Sequence, residues 1–460
     1  MARRAGLAAL WRLVVVAPAV VVPHTATAQM DSASLHATIL GWSDRTWLYV
    51  LDRGAVDGGR LNDLGWLQRF HPEVDDEHAM DEISMHPALG DDYAWRSRDN
   101  GARYWGGSIN HRYLIAGLDL KARVALGRGW RVGFTLDKED RPGLARSLPR
   151  FNVEKQWAPG VFAFGEGTLL ADKPDMDITL GGGWRDRSGA ATVSLTALDA
   201  FSQAIYQGLE VDRAFAPTAL DYERQPWALR ATVHRRIGAH LRIEADLGTA
   251  LPSTVRAYDQ VVPDSGFRQD ERFAMAAGLV EWTTVPRVRA GVMATRVRAV
   301  MDRTPLASGR LEDDFRLVER TSQLGGFVLV EPWARWRVET WLLREHRPQT
   351  KAFRNGAAPD VDYEDRAWRG RIQIRYLAAF GLKAESAFEM DRRDVIRGEG
   401  QVPSVEGSVG RRNTRLRLEV GWRFGNRFWV EGGYRLDLDG DPGTGHGSFD
   451  GAHGRLTLFW

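Results

Sequence analysis

The chain has 460 residues, 62 Lys and Arg against 60 Asp and Glu, and no Cys. This near-neutrality argues against a nucleic-acid binder held by net basic charge, and the missing thiols exclude a disulfide framework and thiolate metal sites. The longest apolar run, Leu13–Val22, is ten residues long, about half of the roughly 20 that a membrane-crossing helix needs.

Residues 1–28 read as a secretory signal peptide. Arg3, Arg4 and Arg12 form a positive n-region, Leu13–Val22 an apolar h-region, and Ala26-Thr27-Ala28 an A-x-A cleavage site before Gln29. Its removal takes away three Arg and no carboxylate, leaving the two signs balanced to within one charge.

Residues 29–100 form a separate N-terminal segment, lying in the periplasm or plugging the barrel that follows. Trp47, Leu48 and Leu51, stopped by Gly54, predict one short helix; Leu64, Leu67 and Phe70 behind a cap at Asn62 or Asp63 predict a second. The competing reading makes Leu35–Gly41 and Trp47–Leu51 strands. Further on, His71, His78 and His86 lie among Glu73, Asp75, Asp76, Glu77, Asp81, Glu82, Asp91 and Asp92. The histidine spacing fits no tight metal site, so this stretch reads as a solvated acidic loop and no metal or cofactor is expected.

From 101 to 460 a different pattern takes over. Leu114, Ala116, Leu118, Leu120, Ala122, Val124 and Leu126 fall on one face, and Asp119, Lys121 and Arg123 on the other. Such period-2 alternation marks strands with two unlike faces. It recurs at Arg242, Glu244 and Asp246, at Arg369, Arg371 and Arg375, and at Lys383, Glu385 and Glu389. Near the end it recurs at Arg415, Arg417, Glu419 and Arg423, and at Arg427, Glu431, Arg435 and Asp437. Charges in mid-strand, opposite aliphatics, suit a water-filled lumen and not a closed soluble core.

Connections alternate in length. Short ones fall at Gly127–Gly129, Trp157–Gly160, Arg187–Gly189, Ile237–Ala239, Val285–Pro286, Glu331–Trp333, Ala379–Gly381 and Gly425–Asn426. Long ones fall near 139–150, 169–176, 200–225, 250–270, 302–321, 346–365, 393–411 and 439–448. Short periplasmic turns alternating with long external loops are the rule for outer-membrane barrels. The count gives an all-β antiparallel barrel of about 18 strands, with Arg103–Ser108 as the first, required by parity. The count falls to 16 if a stretch such as 149–157, whose alternation is poor, is not a strand.

Aromatic residues sit near strand ends: Trp130, Trp157, Trp184, Trp227, Trp368, Tyr376, Trp422 and Trp460. They predict girdles at the headgroup level, with outer-membrane lipid as the surrounding partner. Leu456, Leu458 and Trp460 alternate up to a terminal aromatic, which resembles the C-terminal signal of bacterial outer-membrane barrels read by the assembly machinery. The whole alternating region resembles porin-like outer-membrane barrels. The stretch Trp47-Leu48-Tyr49-Val50-Leu51-Asp52-Arg53-Gly54-Ala55-Val56-Asp57 resembles the opening of capsule-assembly Wzi-like barrels. That second resemblance implies a helical N-terminal part, an eighteen-stranded barrel and an association with surface polysaccharide.

Enzymatic motifs are weak. There is no G-x-S-x-G elbow. His234 and His240 flank a short turn, and His346 stands beside Glu345 in a long connection. Asp437-Leu438-Asp439-Gly440-Asp441 lacks the sixth-position Gly and closing Glu of a calcium loop and reads as a turn. The expectation is a non-enzymatic bacterial outer-membrane channel for small polar solutes. Its alternatives are a polysaccharide-associated accessory barrel and, third, a barrel hydrolase.

Overall fold

The computed structural model describes residues 100–460 apart from 110–112, 142–143, 169–176, 187, 198–204, 207–217, 225–226, 260–263, 286, 310, 312–313, 357–359, 400–401, 404–408, 426 and 440–448. The signal peptide, the helical hairpin, residues 47–57 and the histidines of 71–86 all lie outside the described residues.

Twenty-one strands follow one another: β1 Gly101–Ile109, β2 Tyr113–Gly127, β3 Trp130–Arg141, β4 Leu144–Ala158, β5 Val161–Thr168, β6 Ile178–Arg185 and β7 Gly189–Ala197. Next come β8 Ile205–Tyr206, β9 Thr218–Arg224, β10 Trp227–Ile237, β11 Leu241–Asp259, β12 Gly266–Val285, β13 Val288–Pro305 and β14 Phe315–Val330. The last are β15 Trp336–Phe353, β16 Val361–Leu377, β17 Leu382–Glu399, β18 Val402–Pro403, β19 Val409–Phe424, β20 Phe428–Asp437 and β21 Phe449–Phe459. All pairings are antiparallel between chain neighbours, with β7 joined to β10 and β17 to β19. β21 returns to β1, from Gly101↔Phe459 to Gly107↔His453, so the sheet closes without a free edge. Leaving out β8, β9 and β18, the wall has eighteen strands, with β1 where parity demanded it.

Of the three extra strands, β9 sits beside the wall for a physical reason. β10 climbs β11 only to Ala228↔Ala250. At that height Pro252 has no N–H to offer, and the β11–β12 register shifts between Ala250 and Ser253. Above the shift β9 takes over the exposed edge of β11, from Thr254↔Arg224 to Asp259↔Thr218.

The wall differs from expectation in height. β11, β12, β13, β15 and β17 have 18 to 20 residues, β5 and β6 only 8. At ~3.4 Å rise and ~40° tilt, eighteen residues reach about 47 Å, roughly 20 Å beyond an apolar band of ~25 Å. The connections expected near 250–270, 302–321, 346–365 and 393–411 are therefore largely hairpin arms. Alternation of polarity fades there, yet the backbone ladder continues.

The short turns form a regular rim. Gly127 (φ 83°), Gly129 (φ 78°), Gly160 (φ 85°), Gly238 (φ 62°), Gly381 (φ 96°) and Gly425 (φ 63°) supply left-handed backbone. A Cβ on Gly381 would also lie 2.2 Å from the Arg423 carbonyl oxygen. One carbonyl of each turn accepts a hydrogen bond from a strand of the next hairpin. Gly129 accepts from Gln156 N, Gly160 from Arg185 N, Ser188 from Arg236 N and His240 from Thr283 N. Arg287 accepts from Glu331 N, Arg335 from Leu377 N, Gly381 from Arg423 N and Arg427 from Phe459 N.

Candidate functional site: the inner wall

Side chains alternate outward and inward along every strand, and the outward set is aliphatic and aromatic in the lower wall. Leu180, Val193, Leu247, Val292, Leu324, Leu342, Ile374, Val420 and Leu456 are exposed there. Trp130, Trp157, Trp227, Trp368, Trp422 and Trp460 are exposed as well, with Trp184 and Tyr376 half-buried. Six of these eight aromatics lie at the short-turn rim, while Trp227 opens β10 at the opposite end and Trp368 lies midway along β16. Sequence reasoning overlooked further aromatics at the rim, where Trp336 meets Tyr376 (5.0 Å between ring centroids) and Phe380 meets Trp422 (5.4 Å).

The inward set divides into two sectors. On β16 to β21 it is charged and buried. Lys383, fully buried, donates to Glu419 Oε1 (2.6 Å) and Glu431 Oε1 (2.9 Å) and lies 3.6 Å from Glu385 Oε2. Glu385 also accepts from Arg375 Nε (2.9 Å), Arg417 Nη2 (2.5 Å) and Arg371 Nη2 (3.3 Å). Arg371 Nε lies 3.5 Å from Glu389, and Arg417 3.4 Å from Glu419. His453 Nε2 is 3.2 Å from Glu419 Oε2, and Arg455 Nε donates to Glu431 Oε2 at 2.7 Å. Arg369 reaches both Glu345 (3.6 Å) and Asp391 (3.7 Å). Arg415 and Arg435 are buried on the same side, Arg423 and Asp437 half-buried.

The charged sector continues past the seam, where Arg103 makes two contacts to Asp119 Oδ2 (2.7 and 2.8 Å), with Lys121 and Arg123 half-buried beyond. On β11, Asp246 takes a bidentate bond from Arg230 (2.6 and 3.0 Å), and Glu244 is paired with Arg242. Removing buried ions from water costs several kcal/mol each, roughly repaid only where a carboxylate has more than one donor, as at Glu385, Glu419 and Glu431.

The second sector was not anticipated. Across β12 to β15 the inner face is mixed: Phe273, Met275, Leu279, Met293, Phe327, Leu329, Trp341 and Leu343 are buried beside Glu271, Glu281, Arg289, Glu319, Glu339 and Glu345. Charges continue on each of these strands, interrupted by apolar side chains. Two of the inner rings lie flat over glycine partners. Gly291 opposes Phe327, and Gly117 opposes Trp105; an added Cβ would come within 2.4 Å and 2.3 Å of those rings.

Two local readings change, and His234 gains a partner. Arg427 lies in the β19–β20 turn, exposed, because β20 begins only at Phe428. His346 and Glu345 lie on β15 itself and point to opposite faces. His346 meets Glu364 outside (2.6 Å), while Glu345 meets Gln323 (2.5 Å) and Arg347 (2.5 Å) inside. His234 faces inward on β10, 3.8 Å from Glu244. His453, Arg455, Glu345 and Arg103 escaped sequence reasoning. The first two were legible, since they alternate with Leu456 and Leu458.

A closed cylinder with an apolar outer belt, an aromatic rim and a charged inner wall is a transmembrane β-barrel of the bacterial outer membrane. No family model and no curated protein matches the chain. Solved structures of similar fold include a loop-deletion mutant of OmpT, an outer-membrane protein of Vibrio cholerae. It is 11% identical, with a TM-score of 0.35, covering 79% of this chain and 100% of that one. A bacterial polysaccharide outer-membrane secretin is 12% identical, with a TM-score of 0.34, covering 79% and 99%. The outer-membrane channel DcaP of Acinetobacter baumannii is 9% identical, with a TM-score of 0.34, covering 78% and 96%. None of these comparisons carries the resemblance of residues 47–57 to capsule-assembly barrels.

Proposed function

We propose that the barrel is a passive channel for small polar solutes with a preference for anions. The observation that carries this reading is the charge imbalance of the inner wall on β16 to β21. Arg369, Arg371, Arg375, Lys383, Arg415, Arg417, Arg423, Arg435 and Arg455 face Glu385, Glu389, Asp391, Glu419, Glu431 and Asp437. Rows of fixed charge along a wall set up a field in the lumen beside it that selects permeants by sign.

Planar-bilayer recording tests the reading. The purified chain should give stable conductance steps, and a salt gradient should give a reversal potential toward that of the anion. Arg415→Glu with Arg423→Glu should move it toward the cation. A barrel without conductance that retains polysaccharide would replace this proposal with the accessory-barrel reading.

A further inference from the structure

On the outer face, a basic band crowns the aliphatic belt of β12 to β17. Arg272, Arg296, Arg298, Arg320, Arg344 and Arg392 are all exposed there. They stand eight to thirteen residues from the short-turn ends of their strands. Ten residues of tilted strand climb about 26 Å, which puts the band at the upper edge of an apolar zone about 25 Å tall. Directly beneath it lie exposed Val292, Leu324, Leu342, Ile372 and Phe388.

The arrangement is electrostatically unsatisfied. Arg298 and Arg320 are direct partners on adjacent strands, a placement that repels. Arg344 opposes Trp368, which opposes Arg392 in turn, and the Arg344 guanidinium lies 5.6 Å from the indole. Among the described residues, none of the six has an ion-pair partner. Three carboxylates on the same face are engaged elsewhere. Asp302 holds Arg354 (2.5 Å), Glu364 holds His346 (2.6 Å) and Arg366 (2.8 Å), and Asp270 accepts from Thr254 (2.5 Å).

We infer that this band is a docking surface for the phosphorylated headgroup of an outer-leaflet lipid, whose acyl chains lie on the aliphatic belt below. Opposed guanidinium groups demand a bridging anion, and their planar donor fork matches phosphate oxygens. The apolar surface beneath demands that the anion carry hydrocarbon. The inference is independent of channel activity, because the band lies on the opposite side of the wall from the lumen.

Native mass spectrometry of the full chain in detergent tests it, with three probes: bis-phosphorylated lipid A, the same lipid dephosphorylated, and inorganic phosphate. The phosphorylated lipid should be retained about tenfold more than the dephosphorylated one, as expected when several cations contribute to anionic-lipid attraction. Arg298→Gln/Arg320→Gln/Arg344→Gln should lose that preference, while the matching Lys triple should keep most of it. Equal retention of both lipids, or displacement of the lipid by equimolar inorganic phosphate, would overturn the inference. So would a Gln triple that changes oligomeric state but not lipid retention, which would assign the band to contact between copies. Should the Gln triple fail to fold, the wild-type comparison of the two lipids still decides.

Discussion

Replacing Lys383 with Met tests the inner network most sharply. Its ammonium is fully buried and bridges Glu419 and Glu431 at 2.6 and 2.9 Å, with Glu385 at 3.6 Å. Removing one member of a buried ion pair costs about 3–5 kcal/mol, because the partner charge is left uncompensated. The remaining donors soften the loss: Glu385 keeps Arg375 and Arg417, Glu419 keeps His453 and Arg417, and Glu431 keeps Arg455. The expected loss is therefore about 3 kcal/mol, at the low end of that range. Urea unfolding of the barrel reconstituted in lipid vesicles, followed by tryptophan fluorescence, measures it. Lys383→Met/Glu431→Gln should restore part of the stability by removing one of the three carboxylates that Lys383 balances. The exposed pair Arg268–Glu223, at 2.8 Å, is the control and should contribute under about 1 kcal/mol. A loss for Lys383→Met no larger than for Arg268→Met would refute the claim that the inner charges are held out of water.

Gly291→Leu should swing the Phe327 ring off the wall and cost about 1–3 kcal/mol in the same unfolding assay; unchanged stability would mean the ring does not lie on the glycine. Gly381→Ala combines positive φ with a 2.2 Å approach to the Arg423 carbonyl, and should slow refolding into vesicles more than Gly238→Ala, whose Cβ meets nothing. Asp186, in the β6–β7 turn, accepts from the Ser188 hydroxyl (2.7 Å), from Ser188 N (2.6 Å) and from Gly189 N (2.9 Å). These bonds, the Ser188 hydroxyl first, hold its carboxyl below the ordinary value of 3.8. A depressed folded value stabilises the turn above the unfolded one and loses that contribution as pH falls through the folded one. The carboxyl 13C shift of Asp186 should titrate below 3.8, and a midpoint at or above that value would contradict the turn geometry.

The wall was legible where its two faces meet unlike media. β2, β19 and β20 alternate cleanly because one side meets hydrocarbon and the other meets ions. The glycine-rich short turns were legible because only a few residue types reverse a hairpin tightly. β1, with Gly106 and Gly107 in it, has little pattern of its own and emerged only from parity. Two regions were hidden for opposite reasons. On β13, inward Val297 and Ala299 alternate with outward Arg296 and Arg298, so polarity alone assigns the faces backwards. In the upper arm of β15, inward Gln349 and Lys351 alternate with outward Thr350, and a strand polar on both faces looks like a loop. Partners across the barrel, such as Lys383 with Glu431, depend on strand stagger, which alternation along one strand does not encode.

The rim of turns has a mechanical consequence. Because each turn lends its carbonyl to a strand of the following hairpin, no turn is an isolated cap. A lesion at Gly381 weakens the foot of β19 as well as its own turn, and one at Arg427 loosens the foot of β21 beside the seam. The periplasmic end behaves as a hoop of consecutive clasps, so damage at one turn travels around the circumference in the direction of the chain.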